Sequence, residues 1–127
     1  MSAEGATAQE TILQVVRGER PWTDLRTLGI DIRLEGNRCD TKNPQHLSAT
    51  ADVHDIARGF MAYRQDPRAL REWGFIMEAL DVDLDVEQHP AGDLVLNALW
   101  DASFGNPIEA DVWQTIEDLA RTNGDGV

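Results

Sequence analysis

Apolar side chains recur along this chain at helical spacing in most stretches and at a two-residue spacing in two. Ile12, Leu13, Val15 and Val16 share one face of a short helix over residues 7–17, which Gly18 closes. In PWTDLRTLG, Pro21 pre-sets a first helical turn, Trp22, Leu25 and Leu28 return at helical intervals, and Gly29 ends a second, short helix. The period then changes. Ile30, Ile32 and Leu34 alternate with Asp31, Arg33 and Glu35, Gly36-Asn37 tolerates the positive φ of a tight turn, and residues 38–42 run back as a partner strand. The return strand is poor in apolar residues, so this hairpin has to lean on a helix.

Asn43-Pro44 interrupts the chain, and Ser48 or Thr50 is expected to cap a long helix reaching residue 65, with Val53, Ile56, Ala57, Phe60 and Tyr63 on one face. Asp66-Pro67 supplies the cap and first-turn proline of the next helix, whose buried face is Leu70, Trp73, Ile76, Met77 and Leu80. LDVDLDVEQH, residues 80–89, has the second two-residue period, which places Val82, Leu84 and Val86 inward and the acids towards water in an extended segment. In GDLVLNALWDASFG nearly every position from Leu94 to Trp100 is apolar, which predicts a helix surrounded on most sides at the centre of the core. After Asn106-Pro107, the stripe Val112, Trp113, Ile116, Leu119 and Ala120 marks a last amphipathic helix that fades at Asn123-Gly124. The expectation is a mainly α (α+β) domain of about six helices, orthogonal or bundle-like, with one small β-hairpin near residues 30–42. It spans residues 7–122 as a single domain between disordered tails at 1–6 and 123–127.

Length agrees with this reading, because a chain of 127 residues can bury about two thirds of its unfolded surface in one core. Cys39 is the one cysteine, so no intramolecular disulfide forms. No apolar run approaches the ~20 residues that span a bilayer and no signal-peptide pattern opens the chain, which points to the cytoplasm and away from membranes. Ten arginines beside one lysine fit a GC-rich bacterial genome.

Charge changes the picture more. The formal net charge is −12, but residues 1–77 carry 11 acids against 10 bases, whereas residues 78–127 carry 12 acids against Arg121 alone. A surface of that sign repels nucleic acid and anionic lipid and draws basic proteins.

Candidate chemistry is sparse. Asp81, Asp83 and Asp85 have the spacing that opens an EF-hand loop, but its glycine position holds Val86 and its bidentate glutamate position holds Gly92, so a calcium loop is not expected. His46, His54 and His89 have no metal-ligand spacing with one another or with Cys39. Neither a serine elbow nor a glycine-rich phosphate loop is present, so no catalytic residue, cofactor or metal site is nominated. The tryptophans Trp22, Trp73, Trp100 and Trp113 fall within apolar stripes and are expected to pack, Trp100 with Asp101 near its indole.

These observations favour a small, non-enzymatic protein-binding module of immunity, inhibitor or regulatory type. Its partner-binding residues would be Asp81, Asp83, Asp85, Glu87, Asp93, Asp101, Glu109 and Asp111, facing a basic protein. Two alternatives stand beside it. One is an adaptor or homodimeric subunit that associates through an apolar helix face. The other is a ligand-binding protein or enzyme with a pocket between hairpin and helices.

Overall fold

A computed structural model describes residues 3–35, 38–44, 47, 49–80 and 82–122. The element order is α1 (Ala3–Val16), a 3-10 helix (Trp22–Leu28), β1 (Asp31–Glu35), β2 (Arg38–Lys42), β3 (Thr50–Asp52), α2 (Val53–Ala62), α3 (Pro67–Ala79), β4 (Asp83–Asp85), α4 (Gly92–Ser103) and α5 (Ala110–Arg121). This is the expected mainly helical α+β fold with its hairpin. The first helix begins at Ala3, ahead of the expected residue 7, and the second is a tighter 3-10 helix. Gly29, in the left-handed region at φ 84°, ends that helix by donating its N–H to Arg26 O.

The hairpin is antiparallel and in the expected register, Glu35 opposite Arg38; its Gly36-Asn37 turn lies outside the described residues. It leans on α3 as anticipated, since the Thr41 hydroxyl donates to Ala79 O at 3.1 Å and occupies a carbonyl of that helix's last turn.

The start of α2 differs from expectation. Ser48 lies outside the described residues, and Thr50 does not cap the helix but belongs to β3. Asp52 is the cap: its carboxylate accepts the Asp55 N–H at 3.0 Å, and the Asp55 carboxylate accepts the Asp52 N–H at 3.1 Å. That reciprocal box satisfies two donors at once, and aspartate outranks threonine as a cap. Asp66 caps α3 by accepting the Ala69 N–H, with Pro67 in the first turn, as the sequence predicts.

Within residues 80–89 β4 is the extended part, with Asp83 and Asp85 exposed, Leu84 half-buried and Val86 buried, so the alternation holds there, and a turn follows at residues 87–88. What the pattern could not supply is the partner. β4 pairs in parallel with β3, Thr50 opposite Asp83 and Asp52 opposite Asp85.

The core gathers around α2. Phe60 meets the Trp73 ring edge-on at 5.0 Å, and the Trp73 indole donates to Val16 O at 3.1 Å, which satisfies a carbonyl of the last turn of α1. Gly59 permits this junction, because a Cβ there would collide with Val16 O and the Trp73 ring. α5 packs mainly on α2, and α4 mainly on α3.

α4 is not the enclosed central helix that its composition suggests. Val95, Ala98, Leu99 and Ala102 are buried, but Asp93, Asn97 and Trp100 face solvent. Covering the opposite face would need a third layer of elements, and a chain of this size closes its core with two.

Candidate functional site

The acidic residues singled out from sequence occupy several elements. Asp81 lies outside the described residues. Asp83 and Asp85 are exposed on β4, and Glu87 is exposed in the turn after it. Asp93 and Asp111 stand in the first turns of α4 and α5, and Glu109 occupies the position before α5, where negative charge complements the positive helix end. Asp101 is half-buried on α4. They do not form one row. Asp85 belongs to one cleft, while Asp101 and Glu109 meet at another.

The Asp101–Glu109 cleft lies between α4 and the start of α5 and holds about 370 Å³. Its lining is about equally polar and apolar, with Leu94 and Ala98 on one side, Ile108 and Val112 on the other, and Asn97, Asp101 and Glu109 supplying the polar atoms.

Beside it stand two large exposed aromatics. Trp100 is 57% exposed and Phe104 55% exposed, and their rings meet at a tilt of 57° with centroids 4.8 Å apart. Neighbours on a helix surface are three and four residues apart, so Asn97 adjoins both Trp100 and Asp101, and Trp100 adjoins Phe104. The aromatic pair therefore adjoins the cleft at its Asn97 edge, with Phe104 at the C-cap of α4. The expectation that Trp100 packs inward is overturned. The signal that could have revealed this is its place three residues after Asn97, on the polar side of the helix.

Arginines cover three half-buried rings. Arg26 lies over Trp22 at 5.2 Å, Arg64 over Trp113 at 5.0 Å, and Arg71 over Phe75 at 5.4 Å. Among the described residues, the ion pairs that reach the acidic second half end on Glu117 and Asp118, from Arg64 and Arg121.

The second cleft, about 230 Å³, brings together residues far apart in sequence. β3 and β4 run parallel, so Asp52 and Asp85 lie side by side at their ends, and His54 and His89 follow close behind with ring centroids 5.6 Å apart. Sequence spacing could not reveal that encounter. The two rings are held differently. His54 Nδ1 lies 3.0 Å from Leu119 O, which can only accept, so this nitrogen carries the proton. His89 Nδ1 accepts the Ala91 N–H at 3.0 Å, so its proton is on Nε2. A metal-binding histidine donates its second nitrogen to an acceptor; His54 has that arrangement and His89 has the reverse. Among the described residues no three ligating groups converge. His46 lies outside the described residues.

A third cleft, about 250 Å³, opens between hairpin and α3, with Leu34 facing Arg68, Arg71, Glu72 and Phe75. Arg68 pairs there with Glu72 at 3.4 Å. Cys39, half-buried on β2, has its thiol pushed upward by burial and then by the Asp40 charge. Among the described residues no helix is long and apolar enough to cross a membrane.

No protein-family model matches this chain, nor does any curated protein or solved structure.

Proposed function

We propose that this protein is a small, acidic, non-enzymatic binding module of inhibitor, immunity or regulatory type that engages a basic protein through its second half. The observation that carries the reading is the open display of Asp83, Asp85, Glu87, Asp93 and Glu109 on a half-chain whose described ion pairs end elsewhere, on Glu117 and Asp118. Such a field accelerates encounter with a basic surface and is screened by salt.

The exposed pair Trp100 and Phe104 favours a second reading, an adaptor that associates through an apolar face. Self-association on that face would set two chains of charge −12 against each other with Asp101 beside the contact. A basic partner meets the same rings with complementary charge, so the first reading accounts for both features.

The test is capture of partners from a lysate of the source organism at low salt, with elution near 0.5 M salt, where screening shortens to a few ångströms. A stoichiometric basic protein should be released, and its association rate should fall steeply with ionic strength while dissociation changes little. A partner whose association ignores salt would overturn the reading.

A further inference from the structure

Building on that reading, we propose that the cleft between α4 and α5 is the seat for an arginine from a basic segment of the partner protein, with Trp100 and Phe104 as its aromatic platform. Its walls suit such a side chain. Leu94, Ala98, Ile108 and Val112 offer apolar surface to an aliphatic stem, and Asp101 and Glu109 meet the charged head. Two carboxylates around one cleft match a planar guanidinium, which presents several donors in a fixed fork.

The adjacent rings favour arginine over lysine. At Trp22, Trp113 and Phe75 this fold already places an arginine over an aromatic face at 5.0–5.4 Å. Trp100 and Phe104 contact each other at a tilt instead and present their remaining surface to solvent. A guanidinium entering the cleft would complete the arrangement used three times elsewhere, and a flexible ammonium would stack less well. Charge selects the occupant class. The cleft lies within residues 78–127, which carry 12 acids against one base, so an acidic segment or a second copy of this chain would be repelled.

The experiment titrates isotope-labelled full-length protein with short capped peptides of one lysine-containing sequence whose central residue is arginine, lysine or citrulline, followed by amide and indole resonances. The arginine peptide should shift Asn97, Trp100, Asp101 and residues 108–112. Citrulline, which keeps the shape and removes the charge, should weaken binding by about tenfold or more, and lysine should fall between them. A double variant, Asp101→Asn with Glu109→Gln, should lose about as much as the citrulline exchange does. Binding that tolerates citrulline or the double variant, or absence of binding by every peptide, overturns the proposal. Shifts centred on Asp83, Asp85 and Glu87 and abolished by salt also overturn it, yet leave the basic-partner reading standing. The reading itself fails separately, on a natural partner indifferent to salt.

Discussion

Trp73 and Trp100 are alike in sequence, each set in an apolar helix, and opposite in the fold. Trp73 is buried and donates its indole N–H to Val16 O, whereas Trp100 lies open beside Phe104. The difference follows from which side of each helix meets the core. Cys39 shows the same dependence on surroundings. Burial, then the neighbouring Asp40 charge, raises its thiol above the ordinary range, and the thiolate is the reactive form. At mildly alkaline pH the native thiol should therefore react with a disulfide reagent several-fold more slowly than the urea-unfolded chain. A group whose folded pKa is raised stabilises the fold below its unfolded pKa and loses that contribution as pH climbs through the folded value. Stability should accordingly decline as pH rises past the ordinary thiol range, and equal reaction rates in the two states would refute the protected thiol.

Among elements, β3 and α2 are joined at Asp52, which ends the parallel pair with β4 and caps the helix. Replacing it with alanine should remove one half of the capping box and cost about 1 kcal/mol. For a domain of this size that lowers the melting temperature by roughly 3–5 °C. Denaturant titration should show a lower midpoint with an unchanged slope, because the surface exposed on unfolding stays the same. An unaltered midpoint would mean that the box adds nothing measurable. Asp55 also accepts from Arg17 Nε at 2.7 Å, so the box is tied to the loop after α1 as well.

For the whole molecule, a net charge of −12 concentrated in one half of the chain sets up self-repulsion that favours expansion. Raising sodium chloride from about 10 mM to about 0.2 M shortens the screening length from about 30 Å to under 10 Å. The melting temperature should rise by a few degrees, read by scanning calorimetry without any partner. A flat or falling trend would show that the acids are already compensated within the fold. The same acids that burden stability provide the proposed docking field.

Local pattern alone determined much of this protein. The caps at Asp66-Pro67, the hairpin register, the alternation of Asp83, Leu84 and Asp85, and the stripes of α3 and α5 are short-range consequences of period, turn chemistry and burial. Each can be read because the residues involved interact within a few positions of one another. Tertiary structure decided the rest. It paired β4 with β3, brought His54 against His89, and joined Asp101 to Glu109 across a cleft while separating both from Asp85. It also turned Trp100 outward. These outcomes depend on how helices pack around α2, which is set by side chains meeting from distant parts of the chain and carries no local period.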